Sequence, residues 1–178
     1  MAASRPRSRV SSGARSDHRD PAWPNSPPLD DCYFEDYRPG AVYEFGAEAV
    51  TESAIIEFAE RYDPQTFHTD PEAALDTPIG AFIASGWHTA ALAMRMLVGH
   101  YISSVASIVS PGVDELRWHK PVRPGDVLSM RVEVIEARPS ASKPDRGFLR
   151  SRFDVLNQHG EVVMSMVGLN LMRKRDAG

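Results

Sequence analysis

The chain has 178 residues, a formal net charge of −4 and a single cysteine, Cys32. An acidic balance argues against nonspecific nucleic-acid binding, and one thiol excludes an intrachain disulfide or a cysteine-based zinc site. No apolar run approaches the length that spans a bilayer and no secretory signal is visible, so a soluble cytoplasmic protein is expected.

The first thirty residues carry five Arg and five Pro, with Val10 and Leu29 as the only aliphatic side chains larger than Ala. Such a stretch cannot bury enough apolar surface to offset its ordering entropy, so residues 1–29 are expected to form a disordered tail. The Arg- and Ser-rich composition is also that of a transit peptide, but a periodic apolar face is missing. Five Arg against Asp17, Asp20 and Asp30 leave this segment net positive, which makes the remainder more acidic than the whole. Residues 30–174 are long enough for one compact domain.

Residues 42–47 alternate weakly and predict a first strand. Thr51 and Glu52 then supply an N-cap and an acid in a first turn. Ile55, Ile56, Phe58, Ala59 and Tyr62 follow at helical spacing, and the pattern stops before Pro64. Asp63 is thereby placed just past a helix end, on the loop that carries His68. A short helix is predicted from Pro71 over residues 72–75. The longest helical pattern, residues 86–101, is rich in Ala, Leu and Met, with His88, Arg95 and Gly99 on one narrow face. That pattern predicts a mostly buried helix, and it contains no Asp or Glu.

The rest reads as strands. Leu116 and Trp118 alternate with Arg117 and His119, and residues 121–126 form a turn. Leu128, Met130, Val132 and Val134 face one way, opposite Ser129, Arg131 and Glu133. Leu149, Ser151, Phe153 and Val155 alternate with Arg150, Arg152 and Asp154. Residues 157–160 close a hairpin onto residues 161–172, which are apolar on both faces and predict a central strand. Residues 138–146, with two Pro and several basic side chains, read as a flexible loop. The order of strand, helix, buried helix and antiparallel strands is an α+β layout, a sheet packed around one apolar helix.

Asp63 and His68 carry the candidate chemistry. A carboxylate and an imidazole five residues apart can hold one water between them, one accepting a proton while the other donates. The spacing is equally that of an Asp capping local N–H groups beside a surface His. Gly86 adds a helix start whose unpaired N–H groups and positive dipole end favour developing negative charge, and a glycine lets a ligand approach closely. Ser85 as a simple cap and Gly86 as a packing position are the plainer alternatives. His68 and Asp70 are too few for a zinc site, which takes three protein ligands, and the other histidines are scattered. Trp87 and Trp118 read as core or interface anchors, His88 as a hydrogen-bonded structural histidine, and Arg138, Lys143, Arg146, Arg150 and Arg152 as a solvated basic region or a phosphate contact.

The segment Asp63-Pro64-Gln65-Thr66-Phe67-His68, followed by Ala84-Ser85-Gly86-Trp87-His88, resembles the MaoC-like dehydratase family, which includes the R-specific enoyl-CoA hydratases. Those hydratases carry Gly-Asp-x-Asn-Pro-x-His and then His-Gly-Met at a helix start. Asp63, His68 and Gly86 keep their places, whereas Tyr62, Gln65, Thr66, Ser85 and Trp87 depart from the pattern. The turn at residues 121–126 before a long strand is likewise similar to such domains. The resemblance implies a hot-dog fold over residues 30–174, an antiparallel sheet wrapped around a long central apolar helix. It implies reversible hydration of a trans-2-enoyl-CoA, or dehydration of an (R)-3-hydroxyacyl-CoA. In that role Asp63 and His68 are catalytic, the Gly86 N–H is the oxyanion donor, and Ser85, Trp87 and Gln65 line the substrate. A homodimer binding an acyl-CoA thioester near the subunit interface is implied, with no metal or redox cofactor and no nucleic-acid or membrane partner.

Two rivals are set against this. A hot-dog thioesterase often carries its catalytic acid on the central helix, and residues 86–101 have none. A catalytically silent acyl-CoA-binding or partner subunit would account for the substituted Tyr62, Gln65 and Thr66.

Overall fold

The computed structural model describes residues 27–175. The expected tail therefore lies outside the described residues, apart from its last three positions, where Leu29 opens a 3-10 turn over Leu29–Asp31. Strands β1 (Val42–Ala49), β2 (Ser107–Trp118), β3 (Val127–Pro139), β4 (Arg146–Leu156) and β5 (Val162–Arg173) form one sheet in the order β1-β3-β4-β5-β2. Every neighbouring pair is antiparallel, and the sheet is not closed. Helices α1 (Glu52–Tyr62), α2 (Thr66–Thr69) and α3 (Gly86–His100) all fall between β1 and β2. This is the α+β hot-dog arrangement, with α3 lying along the inner face of the sheet.

The period-two pattern of β3 places Leu128, Met130, Val132 and Val134 on the inner face, each at most 1% exposed. Opposite them in the ladder, β4 contributes Phe153, Val155 and Ser151 to the same face. Ala93, Met96 and Leu97 of α3 fill the concavity. Burying side chains of this size stabilises the fold by about 1.5–3 kcal/mol each, so this seam is where the domain is held together. At its far end Tyr37 and Tyr101 meet edge to face, and the Tyr101 hydroxyl reaches Ser151 Oγ at 2.9 Å. The barely polar interior thus satisfies its own hydroxyls.

Strand β1 bends toward α3 at Gly46. Its φ is +85°, the ladder register shifts between Phe45 and Glu48, and a Cβ there would collide with the side chain of Met96. A residue without a Cβ meets both demands. On α1, the Thr51 hydroxyl accepts the Ala54 N–H at 3.2 Å, and Ile55 and Ala59 face the core.

Several expectations change. His68 does not sit on a loop: Thr66–Thr69 form one helical turn, in which the His68 N–H donates to the Gln65 carbonyl at 2.8 Å. The short helix after Pro71 is a 3-10 turn over Ala73–Asp76. Strand β5 is interior but not central, a place held by β4. The flexible loop shortens to residues 140–145, because β3 runs on to Pro139 and β4 begins at Arg146. Strand β2 starts far earlier than Leu116 and includes Pro111, tolerated because β2 is an edge strand. Helix α3 is buried on one side only; Trp87, Ala91, Met94 and Val98 face outward along its open side.

Candidate active site

Helix α1 ends where Pro64 forbids its continuation, and Asp63 becomes the C-cap, its N–H donating to the Ala59 carbonyl at 2.9 Å. Two residues later the chain turns into α2, which carries His68 back over Asp63. His68 Nε2 lies 3.5 Å from Asp63 Oδ2, and His68 is buried while Asp63 is half-buried. On its other side, His68 Nδ1 is 2.7 Å from the Ile83 carbonyl oxygen. A carbonyl only accepts, so Nδ1 carries a proton, and Nε2 is the ring nitrogen turned toward the carboxylate.

The carboxylate is held as firmly. Ser85 Oγ donates to Asp63 Oδ2 at 2.7 Å, and Gln65 Nε2 donates to Oδ1 at 2.8 Å. The Ser85 hydroxyl is the largest influence and lowers the Asp63 pKa; burial, next in size, opposes it, and the Gln65 amide and then the neighbouring His68 lower it further. Asp63 is therefore an anion at neutral pH.

Ser85 joins this pair to α3. The same Oγ that donates to Asp63 accepts the Trp87 N–H at 3.2 Å, and the Ser85 carbonyl accepts from Thr89 at 3.1 Å. Among the described residues nothing accepts the Gly86 N–H. It sits at the positive end of a fifteen-residue helix, on the wall of the cleft that Asp63 and His68 also line. The cleft measures about 410 Å³, and its other walls include Ala84, Thr89, Trp118, His119, Lys120 and Val122. Gly86 is a glycine for a second reason: a Cβ would come within 2.5 Å of the Trp118 indole, whose Nε1–H donates to the Gly86 carbonyl at 2.9 Å.

The structure thus gathers Asp63, His68, Gly86 and Trp87 around one cleft. Ser85, expected against substrate, donates its hydroxyl to Asp63, and Gln65 donates one of its amide N–H groups to the same carboxylate. Trp118, read from the sequence as an anchor, is a cleft residue, as are His119 and Lys120. Nothing local in the sequence marks this, because Trp118 meets Gly86 across 32 positions of chain.

Asp70 faces elsewhere, accepting from the Glu72 and Ala73 N–H groups. Among the described residues, no three His, Cys, Asp or Glu side chains are grouped to hold a metal ion. His88 departs from its expected hydrogen-bonded state: it is buried and stacked on Phe58 at 4.9 Å, but its Nδ1 has no partner. It lines a separate cavity of about 360 Å³ between α1 and α3, away from the Asp63–His68 pair.

Comparison with known proteins agrees with this fold. A family model described as the MaoC like domain matches residues 36–146. The crystal structure of a MaoC-like dehydratase from Rhodospirillum rubrum is similar with a TM-score of 0.76 and 37% identity, covering 82% of this chain and 99% of that one. The 3-hydroxybutyryl-CoA dehydratase of Methylorubrum extorquens is 33% identical over 114 residues, 64% of this chain and 70% of the relative. The uncharacterized protein YdeM of Bacillus subtilis is 28% identical over 141 residues, 79% of this chain and 98% of the relative.

Proposed function

The chain belongs to the family of MaoC-like domains, and on that footing we propose that it adds water reversibly to the double bond of a trans-2-enoyl-CoA, or removes it from an (R)-3-hydroxyacyl-CoA. The observation that carries the reading is the facing of Asp63 Oδ2 and His68 Nε2 across 3.5 Å in the cleft that also holds the Gly86 N–H. The Asp63 carboxylate accepts, so one water seated beside the pair can donate to it while lying against His68 Nε2. The water oxygen then bonds to C3 of the enoyl group as one of its protons passes to the Asp63–His68 pair. The π electrons move to C2 and the thioester, and the oxyanion is received by the Gly86 N–H at the helix start. A proton returned from the pair to C2 closes the step, so that one water is added and the pair is unchanged.

Similarity to a protein named 3-hydroxybutyryl-CoA dehydratase supports the reaction class and an acyl-CoA substrate. The acid-free α3 sets the reading apart from a thioesterase with its acid on that helix. A homodimer accompanies it: Met94 and Val98 on α3 and Val109 and Val113 on the edge strand β2 are exposed apolar side chains that a second copy would cover.

The test mixes purified full-length protein with trans-2-enoyl-CoA thioesters of several chain lengths and follows loss of the conjugated double bond beside thiol release. Hydration without thiol release is expected. Thiol release alone would favour a thioesterase, and binding with neither activity would favour a silent partner subunit.

A further inference from the structure

We propose that the cavity between α1 and α3 binds a small organic monocarboxylate with an apolar body, at a site apart from the Asp63–His68 cleft. The proposal does not depend on the reaction above. A volume of about 360 Å³ is enough for such a ligand. The cavity lies against Ala49 at the end of β1, the sheet edge opposite β2. The face on Met94, Val98 and β2 that a second copy would cover is therefore a different one.

Part of the lining is a row of rings. His88 stacks on Phe58 with centroids 4.9 Å apart, and Phe58 meets Tyr62 at 5.1 Å. Val50, Ala54 and Leu92 supply the rest of the apolar surface, which suits a flat hydrocarbon body. Two guanidinium groups share the lining. Arg95 is committed to Glu48 of β1 in a two-point ion pair, whereas Arg61, in the last turn of α1, has none among the described residues. Its guanidinium stands 6.0 Å from the Tyr62 ring centroid. A free guanidinium beside an apolar cavity matches a carboxylate, two N–H groups to two oxygens. Glu57 lines the same cavity and repels the second charge of a phosphate, so a monoanion is the better fit.

His88 is the independent indication. It is 5% exposed, and its Nδ1 is buried without a partner. Buried polar atoms are almost always paired, so this one points to a partner from outside the chain. Burial, and then the Arg95 charge, hold the ring neutral in the free protein. The charges facing it are Arg61 and Glu57 from α1, Arg95 from α3 and, behind Arg95, Glu48 of β1. A bound carboxylate offsets the cationic share of that set, so the ring can take up a proton as the ligand enters.

The experiment titrates the full-length protein, isotope-labelled in its histidine rings, with benzoate, with its neutral isostere benzamide and with inorganic phosphate, reading nuclear magnetic resonance. The His88 signal is the one that His88→Phe removes. Benzoate should shift that signal saturably with a Kd of about 1 mM or tighter, an ordinary value for so small a ligand. Benzamide and phosphate should bind at least about tenfold more weakly. Arg61→Gln should weaken benzoate by about tenfold or more, as loss of a charged hydrogen-bond partner does. Arg61 is exposed, so this variant leaves the core untouched and covers the case in which a cavity-filling change does not fold. Ala54→Leu, which fills the apolar lining from α1, should weaken benzoate as much. Bound benzoate should also raise the pKa of the His88 ring, which a purely structural histidine would not show. An unmoved His88 signal would overturn the site, and so would benzamide, or Arg61→Gln with benzoate, binding as tightly as the parent pair. A shift at His68 alone would put the ligand in the catalytic cleft and overturn it too.

Discussion

Asp63 accepts from Ser85, from Gln65 and, through space, feels His68, and each of these contacts favours its charged form. The Ser85 hydroxyl has the largest influence, so Ser85→Ala should raise the Asp63 pKa and leave the carboxylate less firmly oriented without removing it. The expected result is a loss of about 10- to 100-fold in kcat/KM, the worth of a hydrogen bond to a charged group, with the acid limb of the pH profile moved upward. An unmoved acid limb would mean that Ser85 only caps α3. Because the folded-state pKa of Asp63 is lowered, its contribution to stability is present above the ordinary carboxylate pKa and is lost as pH falls through that range. His88 behaves in the same sense for another reason. Burial first, and then the charge on Arg95, lower its pKa, so the native state holds it neutral. Stability linked to His88 is therefore full above the ordinary imidazole pKa near about 6.5 and declines below it. His88→Phe, which removes the unpartnered Nδ1, should flatten the fall in Tm between about pH 7 and 5; an equally steep fall in the variant would place the acid sensitivity elsewhere. At this scale the spacing of Asp63 and His68 alone left their pairing open, and the family resemblance singled them out. Neither could show their supports, since the Ile83 carbonyl and the Ser85 hydroxyl lie 15 and 22 positions away from the groups they orient.

The elements that were readable from the chain are those with a single dominant cause. Helix α1 has a capped start, one apolar face and a proline stop, and its predicted bounds match Glu52–Tyr62. Strands β3 and β4 alternate because one face packs on α3 and the other meets water. The elements that were missed obey tertiary causes. The single turn α2 is too short to show a period, and most of β2 shows none because, as an edge strand with register shifts, neither of its faces is consistently buried. Helix α3 reads as mostly buried because its outer stripe is apolar, yet the open sheet leaves that stripe exposed in one copy. Two substitutions test the packing between α3 and the sheet. Leu97→Ala should cost about 2–5 kcal/mol in denaturant unfolding, as a truncation inside a filled core does. Gly46→Ala should cost about 1–3 kcal/mol, because φ of +85° is strained for any residue with a Cβ. Either variant unfolding like the parent would show that β1 and α3 are not packed as described.

Seen whole, the molecule has a solvated ionic face and an apolar one. The basic residues of β3 and β4 are matched by acids: Arg138 by Glu136, Arg146 by Asp145, Arg150 by Glu115 and Arg152 by Asp154. That pairing leaves little free charge for a phosphate on the outer sheet, and it turns attention to the cleft side. Met94 and Val98 on α3, and Val109 and Val113 on β2, are exposed apolar side chains. Light scattering should give a mass twice the 19.7 kDa of one chain, and Val98→Glu should shift it toward the monomer; a monomeric parent would remove the dimer from the account. Asp63, His68 and Gly86, which line one cleft, all come from one chain. The most direct measurement is therefore the rate of hydration of a short trans-2-enoyl-CoA by the full-length protein, with Asp63→Asn and His68→Gln run beside it. The parent is expected to consume the conjugated double bond without releasing thiol, and each variant to fall by at least about 10³-fold, the loss expected when a group that acts in the transition state is removed. Variants that hydrate within about tenfold of the parent would contradict the assignment of Asp63 and His68.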